Sequence, residues 1–540
     1  MRQATLGALL AIARIAAAQA PVPLYDNLGT LTHRISTRVP ATQQYFDQGL
    51  RLTYGFNHAE AVRAYREAAR LDSLCAICWW GVALAYGPNI NLPMDSASGA
   101  AAWEALQHAL ALRPHASAAE RAYIDALERR YGADPTAERA ARDSAYASGM
   151  REVARRYPDD PDAATLFAES MMDLRPWNYY APDGRAYPGV DELVATLERV
   201  LRRHPAHPGA CHFYIHAVES SPQPQRALTC ARTLENAMPG AGHLVHMPGH
   251  IYLRLGMYAD AERVNVHAAH VDESYIADQR PEGFYPLAYY PHNLHFLWVA
   301  SAFQGRSADA DSAMQRLRAR VSPDLIRQVP PLEFLNVAWY YHLVWFAHWD
   351  AILREGAPPA DLLTSTGMWH YARGRALTAT GHLTEAAAEL DTVGQIQERA
   401  SRDLPPSMTL GFAPPATLLD LARHMLAGEL ASARGHHDEA ASHLREAVRL
   451  EDGLTYDEPA DWYYPTRLSL GAALLAGGRA AEAETTYREE LRRRPNDGWA
   501  LFGLAQALRA QGKAEQAATT DAEFRRAWAR ADVHLTASRL

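Results

Sequence analysis

Small and apolar residues return at fixed intervals along most of the chain, with polar residues filling the places between. The clearest copy lies near the C-terminus, where LGAALLAGGRAAEAETTYREELRRRPND is followed by GLAQALRAQGKAEQA. Gly478 and Gly512 stand 34 residues apart, and so do Ala483 and Ala517. A fixed period of this length marks an architecture in which each repeat is one supersecondary unit. Small residues are needed where the two helices of a unit approach closely, and Gly478 between them ends the first helix in a left-handed turn. The same phase recurs at Gly428, Gly435, Ala440 and Leu444, at Gly374, Gly381, Ala386 and Leu390, and at Gly249, Gly256 and Ala261. Near the N-terminus, FNHAEAVRAYREAARLD with Ala61 and Tyr65 reads as the second helix of a pair. Insertions at 272–290 and 451–463 break the spacing. One pair cannot bury its apolar face alone, so neighbouring pairs are expected to stack into a superhelix.

Gly471, Gly478, Ala483, Tyr487 and Pro495 resemble, in turn, the small, glycine, small, aromatic and proline positions of the tetratricopeptide repeat. The resemblance covers most of the chain beyond about residue 42. It implies an all-α fold, a right-handed superhelical solenoid of helix-turn-helix repeats, of an exported, bacterial-type kind. The expected organisation is a signal peptide at 1–20, an N-terminal extension at 21–41, N-terminal repeats at 42–160, central repeats at 161–330 and C-terminal repeats at 331–540.

The export expectation rests on MRQATLGALLAIARIAAAQA, in which Arg2 precedes an apolar run and Ala18-Gln19-Ala20 is an A-x-A cleavage signal. Arg14 interrupts the run. A periplasmic or secreted location follows, and no later stretch is apolar enough to span a membrane. Removing 1–20 deletes two arginines and no acids, so the net charge of −9 becomes −9 − 2 = −11. That charge, without a basic cluster, argues against nucleic acid as a partner. Lys513 is the one lysine against 52 arginines, which excludes Schiff-base, pyridoxal and phosphate-loop chemistry from the body of the chain. Cys75 and Cys78 form a lone C-x-x-C, whereas Cys211 and Cys230 fall on the two helices of one repeat, where an exported protein would carry a disulfide.

Histidines change the picture most. They concentrate in CHFYIHAVE, HLVHMPGH and PHNLHF. Placed on the repeat register through Ala227, Gly256 and Gly305, His212, His216 and Glu219 fall at positions 5, 9 and 12. His243, His246 and His250 fall at positions 2, 5 and 9, and His292 and His295 at positions 2 and 5. The resemblance implies that these positions of the first helix line the concave groove. At 24 histidines in 540 residues, 15 such positions would hold about 0.7, and seven are present. A looser alignment adds Glu169 and Asp173. Pro248 distorts this stretch, either as a kink or as a first-turn residue of a helix beginning near His246.

Imidazoles at i, i+3 or i, i+4 share a helix face and can converge on one ion. So many imidazoles exceed the needs of one ion and suit zinc, iron, copper or manganese better than calcium. The expected site is therefore a transition-metal centre on His212, His216, Glu219, His243, His246, His250, His292 and His295. A hydrolytic centre would use Glu219 or Glu169 as general base. An oxidative one would draw on Tyr214, Tyr252, Tyr289 or Tyr290. The sequence contains no G-x-S-x-G, H-E-x-x-H or dinucleotide fingerprint to choose a reaction. The competing reading is a scaffold that holds a peptide or small molecule in the groove, although His and Glu stand where a carboxylate clamp would use Lys, Arg and Asn. Trp177–Tyr180 interrupts the repeats and is read as a loop over the groove. His348, His370, His436, His437 and the tryptophans at 79, 80, 345 and 349 are read as ordinary packing or surface residues.

Overall fold

The computed structural model describes residues 22–281 and 283–540, so the expected signal peptide and its cleavage positions lie outside it. Antiparallel helices follow one another from Pro40–Tyr54 and His58–Leu71 to Gly498–Ala510 and Ala514–Ala527, each packed on its neighbours in the chain. The described residues contain no strand, only three isolated bridges. The protein is an all-α superhelical solenoid of tetratricopeptide-type helix pairs. The sequence register holds in detail. Gly256, Gly305, Gly381, Gly435, Gly478 and Gly512 all turn with φ between 66° and 84°, a conformation that glycine adopts without strain. Tyr487 is wedged between Gly471 and Gly503 of consecutive pairs, where a Cβ on either glycine would collide with its ring. None of the described helices is long and apolar enough to cross a membrane.

The solenoid closes on itself. The Trp499 indole donates to Ala302 O at 3.0 Å, Asn496 Nδ2 to Gly256 O at 3.3 Å, and the Tyr463 hydroxyl to Tyr341 O at 2.8 Å. The C-terminal pairs therefore pack back on the central ones. Segments 404–414 and 453–465, which interrupt the helix pairs, reach inward, and Phe412 N donates to Asp461 Oδ2 to tie them together. These segments occupy part of the concave side.

Residues 22–39 form a strap across the N-terminal helices. His33 Nδ1 lies 2.8 Å from Asp162 Oδ2, and Asp162 Oδ1 also receives the Tyr54 hydroxyl and His207 Nε2. Burial alone would lower the His33 pKa, but the hydrogen bond and charge of Asp162, with Asp160 and Asp47, raise it to about 9. A group whose pKa is higher folded than unfolded contributes stability that is complete below its unfolded value, near 6.5. That contribution disappears as pH rises through about 9. Thermal melts from pH 6 to 10 should show this loss, and His33→Ala should remove most of that slope.

Candidate metal centre

Three helical segments bring the histidines together. His212 and His216 stand on the helix Pro208–Val218, with Glu219 as its cap. The Cys211–Cys230 disulfide ties this helix to Leu228–Ala237; Cys75 and Cys78 are also joined. His243 and His246 stand on Gly242–His246. Pro248 opens a second short helix, Pro248–Arg254, that carries His250, so the chain breaks its ladder at Met247 and holds proline in a first turn. Gly242 is required because a Cβ there would strike Asp272 Oδ1. Asp272 also accepts from the Tyr285 hydroxyl at 2.9 Å and Asn293 Nδ2 at 2.7 Å. Tyr285 opens a π-helical turn, Tyr285–Tyr289, that leads into the helix bearing His292.

The side chains gather in two trios. His212, His216 and His243 form one, and His246, His250 and His292 the other; within each, the ligand atoms lie within 4.8 Å of one another. Ring centroids are 4.9, 4.9 and 6.3 Å apart in the first trio and 4.8, 4.8 and 5.8 Å in the second. His212, His216, His243, His246, His250 and Glu219 are at most 1% exposed, whereas His292 is partly open. Burial, followed by repulsion from neighbouring imidazoles, holds His212, His243, His246 and His292 well below the ordinary histidine pKa. Those four rings are neutral at physiological pH.

Hydrogen-bond partners then fix where the protons are. His212 Nδ1 meets Tyr54 O at 2.7 Å, and a carbonyl oxygen only accepts, so His212 carries its proton on Nδ1. Asn265 donates through Nδ2 to Ala261 O, which leaves Oδ1, 2.7 Å from His246 Nδ1, as the acceptor. Glu219 accepts from His216 Nδ1 at 2.7 Å with one oxygen and from His250 Nδ1 at 2.6 Å with the other. Burial would raise the Glu219 pKa, but the charge and hydrogen bonds of His250 and His216 hold it well below the usual carboxylate range. These bonds leave the Nε2 atoms of four imidazoles turned inward.

His246 Nε2 and His250 Nε2 face each other at 2.9 Å. His212 Nε2 and His243 Nε2 are 3.2 Å apart, and His216 Nε2 has no partner. Two nitrogens each bound about 2.0–2.1 Å from one ion, at roughly 90–109°, are themselves about 2.8–3.4 Å apart. The observed separations suit two ligands of one cation. The Glu219 contacts are shorter and are hydrogen bonds. Glu219 therefore stands behind the imidazoles and serves one member of each trio, as carboxylates do behind metal-bound histidines.

Two expected residues lie elsewhere. His295 stacks on Trp298 at 5.5 Å and faces Phe334 of the following pair. Glu169 belongs to a separate buried group with Asp173 and Arg130; burial and then Asp173 raise its pKa well above the ordinary value. Of the four tyrosines near the histidine rows, Tyr289 packs on His243 at 4.4 Å, whereas Tyr214, Tyr252 and Tyr290 donate to the glutamates Glu198, Glu235 and Glu273.

Further residues complete the centre with no signal in the spacing. Phe56 packs on His212 and Phe296 on both His246 and His250, each at 4.5–4.6 Å. Trp177, at φ 62°, lies 5.0 Å from His216 and 5.8 Å from Phe412, so the Trp177–Tyr180 loop does cover the cluster. Tyr456 donates to Glu219 Oε2 at 3.1 Å across 237 residues of chain.

Besides the group of His216, Glu219 and His250 within the centre, two other groups of metal-ligand type occur among the described residues. In one, the Trp298 indole donates to His342 Nδ1, so His342 must donate its Nε2 proton to Asp311. The other is the strap network of His33, Asp160 and Asp162.

No family model matches this sequence, and no curated protein matches it at a significant level. Solved structures align with it over most of its length. A human IFIT1 dimer with PPP-AAAA aligns over 91% of this chain and 91% of its own, at 12% identity and a TM-score of 0.33. The Cut9–Hcn1 hetero-tetramer of APC/C aligns over 91% and 74%, at 13% identity and 0.29. Yeast Tom70 aligns over 89% and 89%, at 10% identity and 0.28. The fold itself suits a binding role, since stacked helices present side chains from several pairs to one concavity.

Proposed function

We propose that the protein is a metalloprotein whose interior carries two transition-metal ions, one on His212, His216 and His243 and one on His246, His250 and His292. The observation that carries this reading is the His246–His250 pair. Asn265 and Glu219 each engage an Nδ1, of His246 and His250 respectively, so the two Nε2 atoms are left to meet at 2.9 Å in a buried interior. Two imidazole nitrogens at that separation can share one cation. In this account Glu219, Asn265 and the Tyr54 carbonyl are positioning groups that fix imidazole tautomers. Glu219 has no free oxygen with which to act as a general base, which favours the oxidative branch over the hydrolytic one. A peptide cradle would need these side chains exposed, and five of the six histidines are buried.

Metal analysis of protein purified without a histidine tag tests the proposal. The expected result is two ions per chain, or uptake of two by metal-free protein. A metal-free protein that takes up no added zinc, iron, copper or manganese would refute it.

A further inference from the structure

The choice of ion is constrained by what stands near the trios and by what does not. All six candidate ligands are imidazoles. Glu219 is committed to His216 and His250, and Asp272 to Tyr285 and Asn293. Manganese and non-haem iron favour sites with carboxylate ligands; Glu219, which groups with His216 and His250, is held on their Nδ1 side and leaves the Nε2 side of each trio without one. Two zinc ions would satisfy the nitrogens but place a charge of +4 among ligands nearly all fully buried, with only Glu219 behind them, and a buried charge without compensation is costly. Two copper(I) ions place only +2 there, and imidazole suits copper. The trios are also neighbours, with His216 and His250 centroids 5.2 Å apart and His243 and His246 5.7 Å. Phe56, Phe296, Trp177 and Tyr289 pack the surroundings with rings, which disfavours charged ligands relative to small neutral ones. His292 alone is partly open and marks the way in.

From these observations, and resting on the two-ion reading above, we infer that the ions are a pair of copper(I) and that the centre takes up dioxygen between them. Each copper(I) gives one electron and becomes copper(II). Dioxygen accepts both electrons, its double bond becomes a single bond, and both oxygen atoms are retained as peroxide; no proton is required. The charge in the interior is +2 before the step and +4 − 2 = +2 after it. A site with one fixed carboxylate therefore meets no new uncompensated charge during the reaction.

The test starts from metal-free full-length protein, titrated anaerobically with copper(I) against a chromogenic copper(I) chelator and then mixed with oxygenated buffer. The expected result is retention of two copper ions per chain and consumption of one dioxygen per two coppers, with an intense near-ultraviolet band that appears on mixing. His292→Ala, which damages one trio at the open side, should retain one copper and consume no dioxygen in this way. Retention of two zinc ions with loss of copper(I) to the chelator would overturn the copper assignment and leave the two-ion reading intact. Two coppers held without dioxygen uptake would overturn the substrate. Failure to bind any ion would overturn the two-ion reading itself.

Discussion

Protein carrying His216→Ala together with His246→Ala is expected to fold and to hold no metal. Each substitution removes one nitrogen from a different trio, so neither ion keeps more than two imidazoles. The effect should be visible in stability as well as in metal content. A ligand that binds only the folded state stabilises it by about 2.7 kcal/mol when present at 100 times its dissociation constant. Chelation should therefore lower the melting temperature of the native protein and leave that of the double variant unchanged. The variant will itself melt somewhat lower, because two buried rings are replaced by voids. The discriminating quantity is the response to chelator, not the starting temperature. A double variant that keeps two ions, or that still responds to chelator, would show that the ions are held elsewhere.

Glu219→Gln should weaken both ions although Glu219 touches neither. A carboxylate accepts from His216 Nδ1 and His250 Nδ1 at once, one oxygen for each. A glutamine has one accepting oxygen, and its amide nitrogen presents donors to the other imidazole, whose proton must then move to Nε2 or whose ring must turn. Loss of an outer acceptor behind a metal-bound histidine costs about 10–100-fold in affinity. Competition titrations with a chelator of known affinity should show both dissociation constants raised by that order, because Glu219 serves one histidine in each trio. A shift confined to one ion, or no shift, would remove Glu219 from its shared role. Tyr456→Phe, which takes away one donor to Glu219, should produce a smaller change in the same direction.

The contrast between these two experiments matches what was legible in the sequence. The repeat glycines at 256, 305, 381, 435, 478 and 512 and the Gly471–Tyr487 contact follow from local register, and the structure places them as expected. The same register puts His212, His216, His243, His246, His250 and His292 on facing rows, because each row needs only the helical period. It fails one residue further on. His292 and Phe296, at i and i+4, face the trios, and His295 between them turns toward Phe334 and the next pair. Glu169 was placed without an anchor glycine and belongs to the Arg130–Asp173 group. Closure of the superhelix was not legible at all. Tyr456 and Phe412 reach the centre from insertions far along the chain, and no period encodes how far a solenoid curves before its ends meet. Asn265 left only a faint trace, a polar residue among the buried positions of the helix Tyr258–Gln279. Those distant residues help to bury the histidines.

The most direct measurement is anomalous scattering from crystals of the untagged protein, collected at the absorption edge of the metal found by elemental analysis. The account predicts two peaks, one among His212, His216 and His243 Nε2 and one among His246, His250 and His292. Density without an anomalous peak in either trio, in crystals grown with the metal present, would contradict it.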